Sequence, residues 1–351
     1  MRLPLSWLRD FVACTGTAED VAARLGTSGF EIEGILRPGA PDTDENHGNF
    51  VIGRVAHFEK HPNADRLRLC RVDTGDPEPR QIVCGASNFA IGDTVVVALP
   101  GALLPGADAP LKQAKLRGEV SDGMMLSERE LGLSDDHDGI IILPEGYEVG
   151  SLLRDHVELD EAVLDISVES NRGDCLSVYG MAREVAVLFG LDLAPMPGVE
   201  PVAAGGATSD LVTVGIEAPD RCSRFTARGF VDVTVGPSPF RIRQRLAAAG
   251  IRPISNVVDV TNYVMHELGN PLHVYDADEI PGQTLTARLA REGETVRTLD
   301  DKERALTPDM LVIADADGPS GIAGIMGGLS SEITEQTTRV VLEAACFERG
   351  G

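Results

Sequence analysis

The feature that most restricts this chain is a series of short strand-like runs in its first half. "VIGRVAHF" (51–58), "RLRLCRVD" (66–73), "QIVCG" (81–85), "TVVVALPGA" (94–102) and "GIIIL" (139–143) are apolar or alternating stretches with turn residues between them. Several short strands packed into so little chain predict a small barrel. In "RLRLCRVD" the alternation predicts Arg66 and Arg68 on one face and Leu67 and Leu69 on the other, a half-buried strand with a basic outer side.

The flanks read differently. In residues 1–38, "TAEDVAARLG" is a helix with Thr17 as N-cap and Asp20 completing a capping box, and "FEIEGI" alternates like a strand. A polar loop covers 40–49. Residues 151–192 read as strand, polar turn and helix, with Ser177 as N-cap and Tyr179, Ala182, Val185, Ala186 and Phe189 as its buried face. The Pro-, Gly- and Ala-rich stretch up to residue 210 has no periodicity and is read as a linker. Beyond 211 the pattern is α+β. A helix at "SPFRIRQRLAAAG" has Ser238 as its expected cap, and "CSRFTARGFVDVTV" is expected to hold a pair of strands. In "TNYVMHELGNPLHVYD" (261–276), Val257, Thr261, Val264, Met265 and Leu268 mark one helix face. Gly269 ends that helix, Asn270-Pro271 turns, and His273 follows. A length of 351 residues fits two or three domains.

The net charge of −24 argues against indiscriminate binding to nucleic acid. Basic residues nevertheless cluster within 54–71 and within 221–252, and a local patch acts over about 8 Å at physiological salt. The ordinary alternative is that these cations are solvated or paired with the acidic surplus. The six cysteines are scattered without a CxxC, which indicates neither zinc nor a disulfide framework. His57 and His61 are four apart, but Pro62 and the strand-like flanks rule against a helical metal pair, so no metal is expected. No apolar run approaches the roughly 18 residues of a membrane span, and "MRLPLSWLRDFV" lacks a signal peptide's core; a cytoplasmic protein without membrane contact is expected. Lys60, His61, Arg66 and Arg68, followed by Lys112, Lys115 and Arg117, are candidates for tracking a phosphate backbone across the barrel.

The order of a basic strand, "CGASN", "VVVALPGA", "KLRG" and "SDGMMLSERELGL" resembles the OB-fold tRNA-binding module of several tRNA-associated proteins. Its neighbours narrow the resemblance. "RLPLSWLRDFV" before it, "ESNRGDCLSVYGMAREVAVLFG" after it, then "RPISNVVDVTNYVMHELGNPLHVYD" and "GIMGGLSSEITEQTTRVVLEAACF" resemble the β subunit of bacterial phenylalanyl-tRNA synthetase along the whole chain.

The resemblance implies a multidomain α+β protein. An OB-fold barrel (40–150) would be inserted in a small α/β N-terminal domain (1–38 plus 151–192). A linker (193–210) would lead to an α+β editing domain (211–351) that is incomplete at its C-terminal end. It implies a ligase that, with an α subunit in a heterotetramer of two α and two β chains, joins phenylalanine to tRNA(Phe) using ATP and Mg²⁺. No cofactor is implied for this chain itself. The β subunit would bind tRNA and hydrolyse mischarged tyrosyl-tRNA(Phe). Thr261, Asn262, His273, Gly327, Gly328 and Glu343 match the editing-pocket positions. A pocket built to bond a hydroxyl rejects the analogue lacking it by about 10⁴–10⁵. Glu343, among apolar neighbours in "RVVLEAACF", needs a partner that a tyrosine hydroxyl would provide. The glycine pair would offer backbone N–H groups. His273 would orient the ester or the water as a neutral imidazole. The alternatives are a stand-alone deacylase of mischarged tRNA and a non-catalytic tRNA-binding or assembly fragment, and the missing C-terminal elements weigh against the former.

Overall fold

The computed structural model describes residues 1–348 apart from 42, 135, 136, 138, 145, 199–202, 204 and 205. Part of the expected linker therefore lies outside the described residues. The chain divides into two compact units.

The first unit holds residues 1–173, 181–194 and 239–252. Strands β1 (Arg2–Pro4) and β2 (Glu31–Leu36) flank β11 (Val163–Ser167) in an antiparallel sheet. Its helices are α1 (Leu5–Arg9), α2 (Ala18–Gly26), the short α3 (Asp44–His47), most of α4 (Val178–Phe189) and α5 (Phe240–Ala248). The capping box at α2 forms: the Thr17 hydroxyl accepts from the Asp20 amide at 3.1 Å, and the Asp20 carboxylate accepts from the Thr17 amide at 3.0 Å. Between β2 and β11 lies a barrel-like sheet. Its strands are β3 (Phe50–Lys60), β4 (Arg68–Asp73), β5 (Arg80–Cys84), β6 (Thr94–Ala98), β9 (Met124–Met125) and β10 (Ile142–Leu143). They run in the order β10-β6-β3-β4-β5, with β9 on β6. Strands β7 (Ala114–Leu116) and β8 (Glu119–Ser121) form a separate hairpin.

Both faces of this sheet are covered. Val55, Cys70, Val72, Ile82, Val95 and Val97 pack on one side, and Phe50, Ile52, Val96, Leu126 and Phe240 on the other. That explains the unbroken apolar run of β6, every residue of which is buried. Two expectations change here. The "SERELGL" stretch, which reads from sequence as a short helix after a Gly-Met turn, is a single turn, in which the Glu130 carboxylate accepts from the Ser127 amide at 2.7 Å. Ser238 does not cap α5, because its hydroxyl donates to buried Asp259 at 2.5 Å.

The second unit holds residues 174–180, 195–238 and 253–351. One sheet has the order β12-β15-β18-β19-β20, from β12 (Thr213–Ile216), β15 (Thr284–Leu289), β18 (Leu311–Ala314), β19 (Pro319–Ile322) and β20 (Met326–Gly327). The other is antiparallel, β13-β21-β14, from β13 (Cys222–Phe230), β14 (Leu272–Asp276) and β21 (Val340–Phe347). A small hairpin joins β16 (Thr295–Arg297) to β17 (Glu303–Ala305). "CSRFTARGFVDVTV" thus supplies one nine-residue strand rather than a pair. Leu285, Ala287 and Ile313 from the first sheet pack with Phe225, Tyr275 and Val341 from the second. Helix α6 (Asn256–Leu268) is capped by the Ser255 side chain and ends at Gly269, whose φ of 82° is the left-handed conformation that glycine adopts freely. The molecule is a mixed α/β protein with a barrel-like sheet.

Candidate functional site

In the second unit, β21 is the central strand of its sheet, and this puts Glu343 inside, 6% exposed. The antiparallel ladder sets His273 of β14 directly opposite Glu343. Side chains two residues apart on a strand share a face, so Tyr275 joins them. Its hydroxyl donates to Glu343 Oε2 at 2.5 Å. The His273 and Tyr275 rings meet edge to face, centroids 4.5 Å apart. Gly327 of β20 closes the group. A Cβ there would stand 2.3 Å from His273 Cε1, so only glycine lets this backbone lie against the imidazole.

Burial dominates the proton affinities. It pushes the Glu343 carboxyl up to about 7, against the opposing hydrogen bond from Tyr275. It pushes the His273 imidazole down to about 4. Burial, reinforced by the neighbouring Glu343 charge, drives the Tyr275 phenol well above its ordinary value. Near neutrality the cluster holds an uncharged imidazole, a phenol that donates, and a carboxyl poised between its two forms.

The structure thus brings Glu343, His273 and Gly327 together and adds Tyr275, which reading the sequence missed. The signal was present in "HVYD", where Tyr275 shares the alternation of His273, but the register against β21 was not readable. Gly328 differs from expectation: its amide donates to the Ser320 carbonyl at 2.7 Å and is unavailable to a substrate. The Gly327 carbonyl likewise accepts from the Leu299 amide at 3.1 Å. Thr261 and Asn262 lie on α6, the helix leading into β14. Thr261 is buried, and its hydroxyl donates to the Val258 carbonyl at 2.7 Å; Asn262 is half-buried. Among the described residues no hydrogen bond joins either to the cluster.

In the first unit the seven basic candidates separate. Lys112, Lys115 and Arg117 are exposed on and beside the β7–β8 hairpin, and Arg66 is exposed in the turn before β4. Lys60 is exposed and pairs with Asp65 at 2.7 Å. Arg68 departs from the expected outer face. It begins β4 on the same side as buried Cys70 and Val72, with its guanidinium over Phe58 (4.7 Å) and Phe89 (5.0 Å). His61 is 2% exposed and both ring nitrogens serve the fold: Nδ1 accepts from the Asn63 amide at 3.0 Å, leaving Nε2–H to donate to the Leu116 carbonyl at 3.0 Å. With the Asn63 side chain donating to the Arg117 carbonyl at 3.1 Å, it fastens the hairpin that carries Lys115 and Arg117. A groove of about 770 Å³ lies nearby, lined by Cys84, Met124, Met125 and Arg129 among others and by none of the seven. The second basic cluster is paired in part: Arg241 and Arg245 bond Asp10, and Arg243 bonds Glu128, while Arg224, Arg228 and Arg252 are exposed.

Comparison with known proteins follows the same division. The family described as "Putative tRNA binding domain" matches residues 50–152, and the "B3/4 domain" family matches 221–350. The phenylalanine–tRNA ligase β subunit of Nitratidesulfovibrio vulgaris is 48% identical over 350 residues, and that of Anaeromyxobacter dehalogenans 50% identical over 352. The chain belongs to the phenylalanine–tRNA ligase β-subunit family. Both alignments take in 100% of this chain and 43% of the relative, so the chain spans less than half the length of these β subunits. A solved N-terminal fragment of the phenylalanyl-tRNA synthetase β subunit from Pyrococcus horikoshii aligns over 54% of this chain and 57% of its own, at 13% identity and a TM-score of 0.33, too low to carry an argument. Within the β-subunit family frame, the cluster of Glu343, His273, Tyr275 and Gly327 falls in the B3/4 segment, and all seven basic candidates fall in the tRNA-binding segment. Among the described residues no helix is long and apolar enough to cross a membrane.

Proposed function

We propose that this chain works in phenylalanine–tRNA ligase, contacting tRNA(Phe) through its barrel, read as an OB fold, and hydrolysing tyrosine mischarged onto that tRNA in its second unit. The observation that carries this reading is a buried carboxylate, ringed by a phenol, a neutral imidazole and a glycine backbone. A tyrosyl ester bound there donates its phenol proton to Glu343. A phenylalanyl ester leaves the carboxylate oxygen that Tyr275 does not bond dry and without a donor, and the lost desolvation energy is the source of discrimination. An imidazole held at about 4 is a weak base at neutral pH, so His273 hydrogen-bonds the ester or the attacking water rather than removing its proton. The ribose hydroxyl of the tRNA assists the attack.

Aminoacylation with ATP and Mg²⁺ belongs, in this proposal, to the heterotetramer formed with an α subunit, and no residue of this chain is assigned to either. The test is deacylation of tyrosyl- and phenylalanyl-tRNA(Phe) by the full chain assembled with its partner subunit. Glu343→Ala should lower the tyrosyl-over-phenylalanyl preference about tenfold or more. Equal preference in variant and wild type would remove Glu343 from the pocket. Tight tRNA binding with no hydrolysis of either ester would leave a binding module only.

A further inference from the structure

Glu343 already has a tyrosine hydroxyl as its partner, and it belongs to the chain itself. We propose that Tyr275 is a positioning residue for Glu343: by holding Oε2 from within the core, it leaves Oε1 as the single acceptor that reads an incoming phenol. The inference rests on the editing reading and adds to it the residue that sets the specificity of the site.

The geometry supports this in three ways. Tyr275 is 2% exposed and packed in the core with Phe225, Leu285 and Val341, so its hydroxyl is delivered by a rigid ring. The His273 ring braces it edge-on at 4.5 Å. Carboxylates bond through both oxygens, and occupying one fixes the rotation of the group and hence the direction of the other.

There is also an electrostatic consequence. A hydrogen bond donated to a carboxylate favours the ionised form, and Tyr275 is the one influence that draws Glu343 back down against burial. Without it, Glu343 would be largely protonated at neutral pH. A neutral carboxyl loses little when a phenylalanyl group leaves it unpaired, whereas an ionised one loses much. Tyr275 therefore sharpens rejection of the phenylalanyl ester as well as aiming the acceptor. The other titratable groups bearing on the pair are His273 on β14, neutral by burial, the Cys222 thiol on β13, raised mainly by burial, and Asp315 at the β18–β19 turn, which adds to the elevation of Tyr275.

The test uses the full chain with its partner subunit and two stable probes, the 3′-amides of tyrosine and phenylalanine on 3′-amino-3′-deoxyadenosine. Binding is measured by calorimetry from pH 6 to 9. Tyr275→Phe keeps the ring and therefore the packing. In the wild type, preference for the tyrosyl probe should rise with pH through about 7, where Glu343 ionises. In Tyr275→Phe that rise should move to higher pH, preference at pH 7 should fall about tenfold, and it should return as Glu343 ionises. Glu343→Ala should show no return at any pH. The Glu343 carboxyl stretch, isolated by infrared difference against Glu343→Gln, gives its titration without ligand and should shift the same way. A wild type that discriminates, with both the binding profile and the infrared titration unmoved in Tyr275→Phe, overturns the role of Tyr275 alone. A wild type that binds both probes equally overturns the editing reading and the specificity role with it.

Discussion

Glu343 and His273 face each other across one rung of a ladder, and burial moves their proton affinities in opposite directions. The His273 imidazole falls from 6.5 to about 4, so between those values the unfolded chain binds more protons and stability rises with pH. The Glu343 carboxyl rises from 4.5 to about 7, so between those values the folded chain binds more protons and its contribution, full below 4.5, is lost as pH climbs through 7. From pH 4.5 to 6.5 the two slopes oppose each other. Glu343→Gln keeps an acceptor for Tyr275 and deletes the falling slope. Its melting temperature minus that of the wild type should therefore grow from pH 4.5 to about 7 and level off above. Calorimetry at several pH values checks this, and a difference independent of pH would mean that Glu343 titrates normally in the fold. Reading the sequence located this carboxylate and its need for a donor. It could not name Tyr275, because the pairing depends on the register between β14 and β21, which are far apart along the chain.

At the level of elements, legibility followed periodicity and local caps. The helix α6, with its apolar period and Gly269 after it, and the strands of the barrel were readable because each signal lies within a few residues. Arg68 was placed on the wrong face because "RLRL" alternates cleanly, yet its first two residues belong to a turn and the strand starts at Arg68. From there Arg68, Cys70 and Val72 point inward together. Gly327 shows the opposite case: a glycine expected to offer its backbone N–H is the point where one sheet meets the imidazole of another. Gly327→Ala should force β20 and the His273 ring apart, because the new Cβ would stand 2.3 Å from Cε1. Tyrosyl-ester hydrolysis should be lost while tRNA affinity stays at the wild-type level, as measured by deacylation and filter binding. Near-normal hydrolysis would show that the approach of β20 plays no part in the chemistry.

At the level of the whole molecule, a chain of net charge −24 repels RNA unless its few free cations are concentrated where the RNA lies. Three of the seven arginines of residues 221–252 are ion-paired, and the β7–β8 hairpin and the turn before β4 present exposed cations within the segment that matches the tRNA-binding family. Lys115, Arg117 and Arg66 are exposed there, and His61 fixes the hairpin from beneath. Each phosphate contact removed should lower the slope of log affinity against log salt by about 0.7–0.9. Lys115→Gln with Arg117→Gln should therefore reduce the slope for tRNA(Phe) by about 1.4–1.8 and leave the melting temperature unchanged. Arg68→Gln should do the reverse, lowering the stability of the barrel through the loss of its stacking on Phe58 and Phe89 while the salt slope holds. Equal slopes for the hairpin double variant and the wild type would move the RNA to another face. A slope that falls on Arg68→Gln at constant melting temperature would mean that Arg68 swings out of its aromatic seat to meet a phosphate. The two variants thus separate a cation that holds the barrel together from cations that the barrel presents.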